Sequence, residues 1–387
     1  MWRVILTVSV LCWNCEGDVT CRNNKNEEVD WYIIYKAPKQ GKTLTGLEYI
    51  YIDSTLHTKE TYTSGKLIDH ADGVLANTLR PILKEKTSMQ NDFGFISYSD
   101  QPPGCHADDE FGHSKGVVMV EEDKSGVWLL HSTPQFPFKR DQNHFWPQSG
   151  ERNAQTFICV TFPHDQFIAI GKHLQYIKAF PFDHHVPDDF PELINVVNWK
   201  SITPSNDKQP LTSNGLQPFF SIAKLQFKES APAAGSKRRH PDNLDDARAV
   251  GDLYTTIANT YSSEVKVQSW PCKQDTSSCP KNGHKVINIE SITITNFGVW
   301  KAGNDHSKWC VTTDNNKPLI CIADVNRRMS QYKRRGGALC FENEAVRTMF
   351  KGFIMDTQPC PDNNKAHKMD VDSPSDTDSD CDSDSDK

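Results

Sequence analysis

Apolar and polar residues along this chain fall mostly into short alternating runs punctuated by Gly, Pro and Asn, with only a few stretches at helical spacing. "VDWYIIYKAP" from Val29 and "LEYIYID" from Leu47 read as strands, because β-branched and aromatic residues fit a pleated surface and breakers bound each run. "GVWLLHS" from Gly126, "QTFICVTF" from Gln155, "SEVKVQSW", "INIESITI", "KPLICIA" from Lys317 and "GALCFE" from Gly337 read the same way. Helical periodicity predicts an interrupted helix in "ADGVLANTLRPILK", where Pro81 removes a donor and clashes with the preceding turn. It also predicts helices in "HDQFIAIGKHLQYI", "DDARAVGDLYTTIANTY" and "NEAVRTMFKGFI".

The order of these elements repeats. His113-Ser114-Lys115 in "FGHSKGVVMV" is followed by a strand, a Pro-rich turn, the strand bearing Cys159 and a helix. His306-Ser307-Lys308 in "NDHSKWCVTT" is followed by a strand, a basic turn, the strand bearing Cys340 and a helix. An isolated His-x-Lys is weak evidence, but the same triplet at the same place in two units indicates a degenerate internal duplication. The polar run from about Asn198 to Leu216 marks the boundary between halves, which gives 18–200 and 201–360.

Residues 1–17 have the layout of a cleaved signal peptide, with an early Arg3, an apolar run and small residues near Gly17. That stretch is too short to anchor a bilayer, and no later run reaches transmembrane length. The expectation is a chain without a membrane anchor, outside the cytosol, with ten of its twelve cysteines beyond Cys12 and Cys15 in a compartment where disulfides persist. A zinc site at Cys272–Cys279 would lack a second ligand pair at metal spacing. Residues 361–387 form an acidic Asp/Ser tail that reads as solvated and disordered; it lacks the Gly and terminal Glu of a calcium loop. Without the eight aspartates from Asp370 to Asp386, the formal charge of −7 becomes +1, and 14 histidines would make the body strongly cationic in acid. Such a body suits a polyanionic substrate at low pH. "KESAPAAGSKRRHPDN" reads as a surface insert, and "SKRRH" and "KRRGG" as basic runs, the latter the better candidate for gripping phosphate.

Two His-x-Lys pairs match the needs of phosphodiester cleavage. A neutral imidazole can attack phosphorus, a protonated one can deliver a proton to the departing oxygen, and two lysines can neutralise the non-bridging oxygens without a metal or other cofactor. On an extended strand, residues i and i+2 share a face, so each His and Lys would reach one phosphate. Because one imidazole must be neutral and the other charged, activity should be bell-shaped in pH with an acidic optimum.

At this point the chain resembles the phospholipase D superfamily, and within it the deoxyribonuclease II family. The resemblance rests on "VDWYIIYKAP", "SYSDQPPG", "GHSKGVV", "HSTPQFP", "GDLYTTIA", "VQSWP", "DHSKWCV", "CIADVNR" and "RRGGALC". It implies an α+β, phospholipase D-like fold of two pseudo-repeated mixed β-sheet halves flanked by helices, with the active site at their interface. It implies an acid endonuclease acting on DNA without metal, leaving 3'-phosphate and 5'-hydroxyl ends, in a secreted or lysosomal setting, with a homodimer allowed. Catalysis would fall to His113, Lys115, His306 and Lys308, with His113 the nucleophile and His306 the acid. Asn326, with Ser132 as its counterpart, would contact substrate. Family disulfides would join Cys21 with Cys159, Cys321 with Cys340, and Cys360 with Cys279 or Cys272. The superfamily Asp five residues after each Lys is replaced by Val120 and Thr313, which argues against a lipid phosphodiesterase. The chain has no Asn-x-Ser/Thr sequon, which argues against glycan-dependent sorting. A catalytically silent DNA-binding or host-directed protein of the same fold is the other alternative. Cys310, Trp309, Trp270 and His131 read as structural: a core or paired thiol, core or cleft-wall indoles, and a local hydrogen-bonding partner.

Overall fold

The structure, a computed structural model, describes residues 18–55, 58–86, 89–203, 208–228, 244–272 and 274–361. The signal-like segment, the surface insert with its "SKRRH" run, and the acidic tail beyond residue 361 lie outside these residues. A hairpin of β1 (Cys21–Arg22) and β2 (Glu28–Val29) leads into the first sheet. That sheet contains β3 (Trp31–Lys36), β4 (Tyr49–Asp53), β5 (Glu60–Tyr62), β6 (Phe93–Ser99), β7 (Lys115–Glu121), β8 (Ser125–His131), β9 (Gln155–Pro163) and β10 (Pro181–His185). Its spatial order is β10-β6-β7-β8-β9-β3-β4-β5, and every pair is antiparallel. The helices of this half are α1 (Val74–Leu79), which stops before Pro81, α2 (Phe167–Tyr176) and α3 (Pro191–Val197).

The second sheet contains β11 (Gln209–Thr212), β12 (Pro218–Ala223), β13 (Val265–Gln268), β14 (Val286–Ile294), β15 (Gly298–Lys301), β16 (Trp309–Thr312), β17 (Leu319–Ala323), β18 (Gly337–Glu342) and β19 (Ile354–Thr357). Its order is β11-β12-β18-β17-β16-β13-β14-β15, with β19 also on β14. Only the β13/β14 pair is parallel, so the mixed character expected of both halves belongs to this sheet alone. The helices here are α4 (Leu244–Gly251), α5 (Leu253–Tyr261), α6 (Met329–Tyr332) and α7 (Glu344–Gly352). The result is a mixed α+β molecule with two large, mainly antiparallel sheets and few helices.

Side-chain alternation sorts the core into layers. Trp31, Ile33 and Tyr35 of β3, Trp128 and Leu130 of β8, Ile320 and Ile322 of β17, and Leu339 and Phe341 of β18 all point into one central cluster shared by the sheets and by α2, α3 and α7. The opposite faces bury Tyr32, Ile34, Val127 and Leu129 against α1, and Leu319, Cys321, Ala338 and Cys340 against α5. Both faces of the central strands are therefore covered, which is why these strands read as nearly continuous apolar runs. Disulfides join Cys21 to Cys159, Cys321 to Cys340, and Cys279 to Cys360.

Two local expectations change. The run "DDARAVGDLYTTIANTY" is two helices, because Asp252 leaves helical geometry (φ −84°, ψ 110°) to cap α5, accepting from Tyr254 N at 2.9 Å. The triplets lie largely ahead of strands rather than on them: His113 and Ser114 precede β7, which opens at Lys115, and His306 to Lys308 precede β16.

Candidate active site

At the first triplet, β6 pairs with β7 so that Ser99 faces Lys115, and one step further Asp100 N donates to Ser114 O at 3.2 Å. Gly112 lets the chain pass hard against the C-terminal end of α2: a Cβ there would sit 2.0 Å from the Ile177 carbonyl oxygen. The Asp100 carboxylate, 3% exposed, gathers the whole motif. One oxygen lies 2.7 Å from His113 Nδ1 and 3.2 Å from the Arg334 guanidinium, and the other accepts from Lys115 Nζ at 2.5 Å. Burial alone would raise the Asp100 pKa, but His113, Lys115 and Arg334 hold it well below the usual carboxylate range. Burial lowers His113 to about 3 despite the pull of Asp100. His113 Nε2, also buried, has no hydrogen-bond partner among the described residues.

The second triplet is held differently. His306 N donates to Ala154 O at 2.9 Å, just before β9. The adjoining Asp305 accepts from Tyr35 Oη, from Trp300 Nε1 at 2.8 Å and from Ser307 N at 2.9 Å. Lys308 Nζ donates back to His306 O at 2.9 Å. The Trp270 ring packs on the His306 ring, with centroids 4.5 Å apart and planes at 50°. Burial drives His306 well below its ordinary range, and Lys308, Lys115, Arg152 and His113 add to this. Burial and then Lys115 lower Lys308 to about 7. Since each triplet's charges act on the other's, the structure brings His113, Lys115, His306 and Lys308 into one electrostatic neighbourhood.

Each half also holds the other's motif. The loop before β18 supplies Arg334 to Asp100 and the Arg335 carbonyl to His113 N at 2.9 Å. In return, Tyr35 of β3 and Ala154 anchor Asp305 and His306. The arginines of "KRRGG" are thus engaged inside the protein, Arg335 through Gln226 and the Tyr176 and Ile202 carbonyls, rather than presented freely to phosphate.

Asn326 is buried beside this site, its Oδ1 accepting from Trp270 N at 3.1 Å. The turn that carries it is fixed by Arg327, which is fully buried and bonded to Asp252 at 2.9 Å and Asn288 at 2.6 Å. The Ser132 hydroxyl donates to Gln155 at 2.5 Å and accepts from Thr156 N at 3.1 Å, next to the Ala154 that anchors His306. His131 accepts from Thr133 N at 3.2 Å, and its proton affinity is depressed by burial and by Lys115. Asp324, at the end of β17, faces both motif lysines; burial raises it to about 8. Trp309 and Cys310 are buried, and burial pushes the Cys310 thiol up, as expected of an inert core cysteine. Cys272 and Cys279 are both disulfide-bonded, so the zinc alternative loses its thiolates. Among the described residues, no group of three or more His, Cys, Asp or Glu side chains is arranged to hold a metal ion. An open cavity of about 730 Å³ in the β8–β9 connection, lined by Gln135, Phe138, Lys139 and Trp146 among others, contains none of the motif residues.

The chain is similar to known proteins over nearly its whole length. The family model described as Deoxyribonuclease II matches residues 20–360. Plancitoxin-1 of Acanthaster planci is 32% identical, with 88% of this chain and 92% of that protein covered. Deoxyribonuclease-2-alpha of Bos taurus is 29% identical over 94% of this chain and 96% of its own, and deoxyribonuclease-2-beta of Homo sapiens 30% over 88% and 92%. With the family model spanning both motifs and both sheets, this chain belongs to the deoxyribonuclease II family.

Proposed function

We propose that this protein is an acid endonuclease that hydrolyses DNA phosphodiesters without a metal cofactor, through a phosphohistidine, leaving 3'-phosphate and 5'-hydroxyl ends. The observation that carries the reading is the convergence of two His-x-Lys triplets, one histidine bonded to a carboxylate and the other among cations. The neutral His113 Nε2 attacks phosphorus while the phosphorus–5'-oxygen bond breaks, and His306 gives its proton to that oxygen. His306, now neutral, takes a proton from water as the water oxygen attacks the phosphohistidine, releasing the 3'-phosphate and restoring His113. Lys115 and Lys308 neutralise the non-bridging oxygens. The fold is read as phospholipase D-like: in each sheet the strand after the triplet, the next strand and the cysteine-bearing strand are consecutive neighbours, β7-β8-β9 and β16-β17-β18. Family membership and the disulfides described above favour a secreted or lysosomal setting. Among the described residues, no helix is long and apolar enough to cross a membrane.

The pH dependence follows from the two histidines. The nucleophile must be neutral and the acid protonated, so activity should rise as pH climbs past the depressed His113 value and fall as it passes that of His306, below the usual 6.5. The decisive assay incubates the protein with plasmid DNA at about pH 5 in excess EDTA, beside His113→Ala and His306→Ala. Chelator-resistant cutting that both substitutions abolish supports the nuclease reading. An inert wild type that still binds DNA would replace it with a silent binding protein.

A further inference from the structure

The two triplets sit in comparable frameworks, which differ at the position that touches the motif histidine. Ser99 of β6 lies opposite Lys115; in the other half Gln268 lies opposite Trp309, so continuing that register places Ser269 opposite Lys308. The residue after each serine is Asp100 in one half and Trp270 in the other. Both touch the histidine of their own motif, Asp100 by a hydrogen bond to Nδ1 and Trp270 by ring packing. The duplicated scaffold thus gives one imidazole a carboxylate and the other an indole.

We propose that Asp100 is the positioning residue of the first motif, resting on the nuclease reading above: it fixes His113 as the Nδ1–H tautomer with the Nε2 lone pair directed at phosphorus, and sets Lys115 beside the same phosphate. An ionised carboxylate can only accept, so Nδ1 must carry the proton and Nε2 the lone pair. Asp100 accepts from Lys115 through its other oxygen, so one rigid group spaces nucleophile and countercharge. Arg334 closes the arrangement from the second half, bonding Asp100 at 3.2 Å and the Phe111 carbonyl at 3.0 Å. The charged groups acting on Asp100 are His113, Lys115 and Arg334 at contact, with Lys308 and Asp324 further off. Asp305, the carboxylate next to His306 in the chain, accepts from Tyr35, Trp300 and the Ser307 amide.

The test combines a rate with a direct view of the tautomer. In Asp100→Asn only one oxygen is left to accept: when Lys115 keeps it, the amide NH₂ meets His113 Nδ1 and favours the other tautomer, and when it turns to His113 and Arg334, the NH₂ opposes Lys115. The fall in kcat should be about 10²- to 10⁴-fold, with KM changed less than about threefold. Arg334→Gln, at a partly exposed side chain, should fold normally and lose about tenfold in kcat with the acid limb of the pH profile displaced. In ¹⁵N-histidine spectra of the full chain, assigned with His113→Ala, the His113 signal should show Nδ1 protonated and Nε2 bare near pH 6. An Nε2–H signal in wild type overturns the proposal, as does full kcat in both variants. If wild type shows the expected tautomer yet cuts no DNA, the nuclease reading fails instead.

Discussion

Tyr35 and Asp305 set the position of His306 from opposite halves of the chain. The Tyr35 hydroxyl donates to Asp305, whose other oxygen orders the Ser307 amide, so backbone placement of the triplet passes through one phenol. Tyr35→Phe removes that donor from a fully buried carboxylate whose pKa burial already raises. The expected outcome is a loss of about 1–3 kcal/mol in unfolding free energy and a fall in kcat with DNA affinity unchanged, measured by denaturant titration and plasmid kinetics. The triplets stood out because one short motif recurs in the chain, whereas Asn326 and Ser132 were named only through the family resemblance. Asp100, Tyr35 and Asp305 were not legible, because their meaning lies in contacts; Tyr35 and Asp305 are 270 positions apart, and no local pattern encodes such a pairing.

Among the elements, the break between α4 and α5 supports the turn that carries Asn326. Asp252 caps α5 and also neutralises Arg327, fully buried beneath the Asn326 turn. Replacing Asp252 by Ala would leave a buried guanidinium short of its nearest countercharge. The expected cost is about 3–5 kcal/mol in thermal or denaturant unfolding. Helical spacing alone joined α4 to α5, since nothing in the period marks a residue that a distant arginine recruits. Strands fared better: β3, β4, β17 and β18 fall within the runs read from alternation and β8 and β9 overrun theirs by one residue, while the placement of both motif histidines ahead of their strands follows from tertiary anchoring by Arg335 and Ala154.

For the whole molecule, buried histidines make acid a stress as well as the working condition proposed above. His173, packed on Trp128, is lowered by burial from 6.5 to about 3 and stands outside the motif contacts. Below pH 6.5 the unfolded chain binds a proton that the fold refuses until about pH 3, so stability is present above 6.5 and drains as pH falls through that window. His173→Leu should therefore lose roughly 2 kcal/mol less than wild type between pH 7 and pH 5, read from paired unfolding curves. The disulfides offset this drain by restricting the unfolded chain, that between Cys21 and Cys159 spanning 138 positions.

The exchange of supports between halves has a consequence for how the activity arises. Arg334 and the Arg335 carbonyl reach the first motif from beyond residue 330, while Tyr35 and Ala154 reach the second from the first half. Neither triplet can reach its working geometry until the other half has docked. Partial chains, proteolytic fragments and half-folded intermediates would then be harmless to nucleic acid, with competence switching on only at the last tertiary step. The fold would serve as its own safety catch.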